Sequence, residues 1–121
     1  MPYRWDEHIA VAEHILAGGN YSSEAEARNA ISRAYYAAFC HLRNWAEANT
    51  TFRAFGDAED HGRLTDHFRT MGQRDVAAKL ERLRGRRNQC DYDNELSDGL
   101  AAPPWVRNAR ERIAAFPPRT R

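Results

Sequence analysis

The stretch that decides the fold is residues 24–48, EAEARNAISRAYYAAFCHLRNWAEA, which contains neither glycine nor proline. Apolar side chains recur along it at the spacing of one helical face, namely Ile31, Ala34, Ala38, Leu42 and Trp45, widened by Tyr35, Tyr36 and Phe39. Ser23, followed three residues later by Glu26, is a capping-box signature for the start of a helix. The sequence therefore predicts one long helix with a continuous buried face.

Four further helices are predicted around it, over residues 4–17, 61–71, 73–93 and 105–116. Glycine and proline residues mark the ends of these helices, at Gly18-Gly19, Gly72, Pro103-Pro104 and Pro117-Pro118. Turns are predicted at 20–23 and 97–99. Residues 49–60 show no sustained period and predict a loop that packs Phe52 or Phe55 against the other helices. Gly85, inside the fourth helix, predicts a close approach or a bend.

No segment shows the alternation of a strand, so the predicted fold is all-α, an antiparallel up-down bundle of four to five helices. The 121 residues, 42% of them hydrophobic, suit a single domain over 1–121. Cys40 and Cys90 show no Cys-x-x-Cys spacing or disulfide framework, which favours a reducing compartment. No apolar run approaches the about 20 residues of a membrane span, and no secretory h-region is present, so we expect a cytoplasmic protein.

Basic residues are almost all arginine, since Lys79 is the single lysine among 18 basic residues. Arginine binds phosphates and carboxylates through paired hydrogen bonds, so this bias is compatible with RNA or nucleotide contact, although codon composition is the favoured explanation. The net charge is only +1, but residues 79–87 carry five basic groups against one acid, Glu81. The sequence thus predicts a local basic patch on a nearly neutral protein.

The predicted fourth helix carries an unusual stripe, in which Leu80 and Leu83 are followed by Arg87 and Cys90. Arg84, Arg87 and Asp91 share the neighbouring stripe. Charged side chains are rarely buried without partners, so these groups need an internal acid, a second copy of the chain or a phosphate.

Three segments carry a resemblance to a known family: NAISRAYYAAFCH at 29–41, HGRL at 61–64 and RGRRNQCDY at 84–92. Together they resemble the HEPN superfamily, and most closely its small stand-alone bacterial branch, whose second helix reads Ser-Arg-Ala-Tyr-Tyr and whose fourth ends Arg-x-x-Ala-Asp-Tyr. The resemblance covers most of the chain, and the motifs stand in the family's order.

The resemblance implies a dimeric α-bundle and, for many members, metal-independent ribonuclease activity in toxin–antitoxin, defence or RNA-processing systems. The family hallmark is Arg, a polar residue and then His several positions on. Arg87 and Asn88 match the first two, whereas Tyr92 stands in the place of the His. The resemblance also implies a cognate nucleotidyltransferase antitoxin as a partner, for which Tyr92 would suit as a target of nucleotide transfer.

Cleavage of RNA by its 2′-hydroxyl requires a proton acceptor near neutral pH and a cation beside the phosphate. A phenol, with an ordinary pKa of about 10, is a poor acceptor unless nearby arginines favour the phenolate. Arg87 and Tyr92 point about 140° apart on one helix, so they would not converge on one phosphate within a chain. Two copies meeting at a two-fold axis would bring both pairs to a composite cleft in a homodimer.

The predicted site therefore has Arg87, Tyr92 and Asp91 as catalytic residues, with Asp91 orienting Arg87. Arg84, Arg86 and Asn88 are predicted to bind RNA phosphate, and Tyr36 and His61 to line the cleft. We expect no metal or cofactor, because the histidines at 8, 14, 41 and 67 show no paired ligand spacing. Two alternatives stay open: a non-catalytic HEPN dimer that binds RNA, nucleotide or a protein, and a scaffold whose arginines form only surface ion pairs.

Overall fold

The computed structural model describes residues 3–17, 23–96 and 101–117. Within them the chain forms five helices and no strand, which confirms the all-α prediction. The helices are α1 (Trp5–Ala17), α2 (Ser23–Asn49), α3 (Asp60–Thr70), α4 (Arg74–Tyr92) and α5 (Ala102–Ala115). The predicted stops and turns at 18–22, 97–99 and Pro118 lie outside the described residues. In the described part of the chain, no helix combines the length and apolar character needed to cross a membrane.

Helix α2 is the centre of the bundle and packs against α1, α4 and α5, while α3 packs on α4. Its predicted stripe is buried, since Ile31, Ala34, Ala38 and Leu42 are completely inaccessible to solvent. Trp45 is partly buried and stacks on Phe68 of α3. The sequence pattern of α2 therefore located the core correctly, because three neighbouring helices cover its apolar face.

Gly72 ends α3, as predicted, through a Schellman motif. Its backbone has φ +82°, which is the left-handed region that glycine adopts without a steric penalty. The Gly72 amide donates to the Arg69 carbonyl (3.0 Å), and the Gln73 amide donates to the Phe68 carbonyl (2.8 Å). These two bonds close the last turn of α3 and set the entry into α4.

Three expectations needed refinement or correction. Phe52 is the loop aromatic that packs into the core, whereas Phe55 is 71% exposed beneath the Arg63 guanidinium. Tyr36 is 49% exposed, so it does not widen the buried face of α2 as Tyr35 does. The prediction of a close approach at Gly85 is wrong, because a β-carbon there would meet no described atom within 4 Å and α4 continues to Tyr92.

Arg28 of α2 holds the C-terminal end of α4. Its Nη1 donates to the carbonyls of Cys90 (2.9 Å) and Asp93 (2.7 Å), and its Nε pairs with Glu24 (3.0 Å). The last carbonyls of a helix lack intrahelical donors and carry partial negative charge, so a cation stabilises them. Arg28 thus fixes the turn of α4 that bears the Asp91-Tyr92 pair.

Removing the Arg28 guanidinium should destabilise the C-terminal end of α4. We expect Arg28→Gln to lower the free energy of unfolding by about 1–3 kcal/mol, as for loss of hydrogen bonds to a charged donor, and to speed amide exchange in the last turn of α4. Arg33→Gln is the matched control, because Arg33 is an exposed arginine of the same helix. Equal stability and equal exchange in the two variants would contradict the assignment.

Candidate functional site

A groove of about 280 Å³ lies between α3 and α4. It is lined by residues of these two helices: His61, Gly62, Thr65, Asp66, Glu81, Arg84, Gly85 and Asn88. Gly62 and Gly85 both lack a side chain here, and a β-carbon at either would meet no described atom within 4 Å. Both glycines therefore border open space in this α3–α4 groove, and no close approach of another described chain segment requires either of them.

His61 lies in the first turn of α3 and is only 6% exposed. Its Nδ1 is hydrogen-bonded to the hydroxyl of Tyr35 from α2. Its Nε2 is buried and has no hydrogen-bond partner within the described part of the chain. The structure thus places His61 at the α3–α4 groove, and Tyr35 is the group that holds the imidazole.

The charge state of His61 follows from its surroundings. Burial, then the positive charges of Arg84 and Arg87, lower the pKa of His61 from the usual 6.5 to about 4. Burial is also the main reason that the pKa of Tyr35 is raised well above 10, although Arg87 and Arg84 oppose that effect. At neutral pH the pair is therefore a neutral imidazole beside a protonated phenol.

Arg87 is held within its own chain by two contacts. Its guanidinium carbon lies 4.9 Å from the centre of the Tyr35 ring, and its Nη1 lies 3.4 Å from Oδ2 of Asp91. Ser32 donates to the same carboxylate oxygen (3.3 Å). Asp91 thus contacts Arg87 at i+4, in keeping with its predicted orienting role, and Arg87 forms a cation–π contact that the sequence did not predict.

Arg86 is a correction to the predicted phosphate-binding set. It is 6% exposed, its guanidinium carbon lies 5.7 Å from the Trp105 ring of α5, and its Nη1 donates to the side chain of Gln89 (2.9 Å). Arg86 therefore packs α4 against α5, because the helical repeat turns it away from the stripe of Arg84 and Arg87. Of the predicted phosphate-binding residues, Arg84 and Asn88 line the α3–α4 groove.

Tyr92 and Tyr36 do not line the α3–α4 groove. Tyr92 is 75% exposed at the last turn of α4, and Tyr36 stacks on Trp5 of α1 with ring centres 6.0 Å apart. Arg87 and Tyr92 consequently have different surroundings, as their angular separation on one helix implies. Among the described residues, no group of three His, Cys, Asp or Glu side chains is placed to hold a metal ion.

The chain is similar in sequence to an uncharacterised archaeal protein. No family model matches the sequence, and no solved structure matches it. An uncharacterised protein of Methanocaldococcus jannaschii is 28% identical over 109 aligned residues, which cover 76% of this chain and 62% of that protein. The chain thus matches less than two thirds of the length of this relative.

The buried His61 should make stability depend on pH. Because its pKa is lower folded than unfolded, the unfolded chain binds the proton more tightly, and stability falls as pH drops from about 6.5 towards 4. Relative to His61→Gln, we expect the wild type to lose about 2–3 kcal/mol of unfolding free energy between pH 7 and pH 4.5. Urea unfolding across this range measures the difference.

His14→Gln is the control for this measurement, because His14 is an exposed histidine of α1. Its stability should follow that of the wild type across the same pH range. Parallel curves for wild type and His61→Gln would contradict the buried, neutral state of the imidazole.

Proposed function

We propose that this chain is a HEPN-type domain that binds RNA and cleaves it without a metal ion. The observation that carries the proposal is the meeting of three parts of the HEPN-like motifs at one groove: His61 from the HGRL segment, and Arg84 and Asn88 from the last motif. Arg87 acts on His61 electrostatically from the same side of α4. A cation, a hydrogen-bonding amide and a neutral imidazole are the groups that phosphodiester chemistry requires.

The cation of the groove that could hold an anionic ligand is Arg84. The two acids of the groove, Asp66 and Glu81, are both paired with Arg69, at 2.7 Å for Asp66. Arg84 has a buried Nε without a partner in the described residues. An RNA phosphate would offer its guanidinium paired hydrogen bonds at this place.

A second groove of about 420 Å³ adjoins the first and shares Gly62 and Arg84 with it. Its other lining residues are Ala58, Glu59 and Arg63, and Arg63 is paired with Asp57, Asp60 and Glu59. Because both grooves are lined by Arg84, they form one continuous path along α3. Such a path suits more than one nucleotide of a single strand, with the cationic centre at Arg84.

The proposal includes a homodimer and a partner protein, both by resemblance to HEPN toxins. Tyr92 is exposed near the end of α4, so it is accessible to a second copy of the chain or to a cognate nucleotidyltransferase. A two-fold pairing of α4 would add Tyr92 of one copy to the groove region of the other. In this form the composite cleft contains residues of both chains.

A second candidate function is RNA binding without cleavage. The observation in its favour is that Arg87 is engaged by Asp91 and Tyr35 in its own chain, while Tyr92 is exposed to solvent. In that arrangement the motif arginine and the tyrosine in the place of the family histidine do not act together. The arginines would then hold phosphates without transferring protons.

RNA degradation in EDTA separates the two functions. We expect the purified wild type to degrade structured RNA without metal, and Arg84→Ala and Arg87→Ala to abolish this. Binding to a non-cleavable 2′-deoxy-substituted RNA should weaken roughly tenfold to hundredfold in Arg84→Ala, with a shallower salt dependence, because one charged phosphate contact is lost.

Arg82→Ala is the matched control, since Arg82 is an exposed arginine of α4 that does not line either groove. It should retain cleavage and nearly all of the binding. If RNA stays intact at stoichiometric wild-type protein with no copurifying partner, the nuclease function is contradicted. RNA binding by the wild type under the same conditions then supports the second function.

The dimer has its own test. We expect sedimentation equilibrium to give twice the mass of the 13.9 kDa chain at micromolar concentration, and Tyr92→Asp to shift the protein towards monomer, since it would bury a charge at the interface. Tyr3→Asp, at an exposed tyrosine of the N-terminal segment, is the control. A wild type that stays monomeric at all concentrations refutes the two-fold arrangement.

A further inference from the structure

The segment that leads into α1 and the middle of α2 share a surface that is rich in aromatic rings. Its rings, which together we call the aromatic face, belong to Tyr3, Trp5, His8 and Tyr36. Tyr3 is 54% exposed and Tyr36 is 49% exposed, while Trp5 and His8 are half-buried. Contiguous exposed apolar groups on a small protein mark an interaction site more often than scattered ones do. The aromatic face is therefore a candidate ligand-binding surface outside the α3–α4 groove.

The rings of the aromatic face are held against one another. Trp5 stacks on Tyr36, with the ring centres 6.0 Å apart and 29° between the ring planes. The rings of Tyr3 and His8 both meet Trp5 edge to face, with centre distances of 4.7 Å and 5.2 Å. Rings that already hold one another lose little conformational freedom when a ligand binds, so less binding free energy is lost to ordering them. The aromatic face is therefore pre-organised for binding.

The chemical character of these rings favours a nucleobase as the ligand. Tyrosine, tryptophan and histidine each combine an apolar ring face with a polar atom at the ring edge. Unpaired bases of RNA have the same character, and they stack on aromatic side chains with little dependence on sequence. His8 contributes a neutral ring at neutral pH, because burial and then the charge of Arg33 lower the pKa of His8 below its usual 6.5. These rings match a base more closely than they match an aliphatic protein surface.

Arg33 supplies a cation beside the aromatic face. It is exposed on α2, and its charge acts on His8. Among the described residues no acid is paired with Arg33, whereas Arg4 is paired with Asp6 and Glu7. An exposed guanidinium without an internal acid has its paired N–H donors free for a phosphate. Arg33 therefore favours an anionic ligand, such as a nucleotide chain, over an uncharged one.

The aromatic face is joined to the proposed RNA site through Tyr35. The rings of Tyr36 and Tyr35 meet edge to face with their centres 6.5 Å apart, and the Arg87 guanidinium lies over the Tyr35 ring. Ser32, one helical turn before Tyr36, is hydrogen-bonded to Asp91, which is the ion-pair partner of Arg87. Tyr36 of α2 and Arg87 of α4 are thus neighbours across the same contact between helices. A strand held at Arg87 therefore reaches the aromatic face with an adjacent base.

We propose that the aromatic face stacks an unpaired base of single-stranded RNA and that Arg33 holds a neighbouring phosphate. The inference rests on the proposed RNA-binding function and deepens it, since it adds the bases to a ligand that is otherwise held by its phosphates. Tyr36 is the central contact, because it stacks on Trp5 and is the more exposed of the two. The face selects single strands over duplexes, because paired bases inside a duplex do not present their ring faces.

The binding of two matched strands, measured by fluorescence anisotropy, tests the stacking. The ligands are a short 2′-O-methyl oligoadenylate, which resists cleavage by its 2′-oxygen, and an abasic strand with the same backbone and length. We expect the wild type to bind the oligoadenylate more tightly. Tyr36→Ala should weaken oligoadenylate binding roughly fivefold to hundredfold, as for loss of one base–aromatic stack, and leave abasic binding unchanged. Arg33→Gln should weaken binding of both strands and reduce its salt dependence, because one phosphate contact is lost.

Two further substitutions at position 36 separate stacking from folding. Tyr36→Phe keeps the ring and should bind like the wild type, whereas Tyr36→Leu keeps a large apolar side chain without a ring and should bind like Tyr36→Ala. Phe55→Ala is the control outside the aromatic face, because Phe55 is an aromatic residue that is 71% exposed and lines neither groove. Its binding of both strands should equal that of the wild type. Circular dichroism verifies that each variant is folded.

Nuclear magnetic resonance locates the stacked base. In ¹⁵N-resolved spectra of the wild type, with the Trp5 indole signal assigned by means of Trp5→Phe, the oligoadenylate should shift this signal through the ring current of the stacked base. The abasic strand should leave it in place. The indole signals of Trp45 and Trp105, which pack against the core, are internal references. A Trp5 signal that the oligoadenylate does not move overturns the proposal.

The binding data distinguish failure of this inference from failure of the proposed function. Equal affinity of the wild type for the two strands, or unchanged binding in both Tyr36→Ala and Tyr36→Leu, overturns base stacking on the aromatic face while RNA binding at the α3–α4 groove stands. Self-association of the wild type that Tyr36→Leu abolishes, with oligoadenylate binding unchanged, assigns the face to a second copy of the chain and overturns the proposal. If the wild type binds neither strand, the proposed RNA-binding function and this inference are refuted together.

Discussion

The close packing of small residues along α2 is the constraint on which the rest of the structure depends. Ala30, Ala34, Ala37 and Ala38 are completely buried, and alanine lets neighbouring helices approach without leaving cavities. Helices α1, α4 and α5 all pack on this one helix. Tyr35 is a large side chain among these alanines. Its hydroxyl contacts His61 of α3, and its ring contacts Arg87 of α4.

The site is consequently a product of three helices. Tyr35 comes from α2, His61 from α3, and Arg84 and Arg87 from α4, so their mutual effects on protonation exist only in the folded chain. Burial keeps the imidazole neutral and the phenol protonated, while the arginines remain charged. Desolvation and Coulomb repulsion from the arginines both disfavour the charged imidazole, so the ring is neutral where it stands beside two cations.

The arginines of α4 have two different roles, one in packing helices together and one at the surface of the site. Arg86 is buried on Trp105 and joins α4 to α5, whereas Arg84 borders the groove and Arg87 lies over Tyr35. Arg28 of α2 secures the end of the same helix through backbone carbonyls. A run of basic residues that looks uniform in sequence therefore contains structural and solvent-facing members, because each step along a helix turns the side chain by about 100°.

The spacing of apolar residues and the positions of glycine and proline by themselves determined the helices, the buried stripe of α2 and the end of α3 at Gly72. These features depend on local backbone preferences and on one amphipathic face. The local motif also indicated the Arg87–Asp91 pair, which lies within one helix. Only the tertiary structure decided that Phe52 packs and Phe55 does not, that Arg86 is buried, and that His61 faces Arg84 across an open groove. Those outcomes depend on contacts between residues far apart in the chain, which no spacing along a single helix encodes.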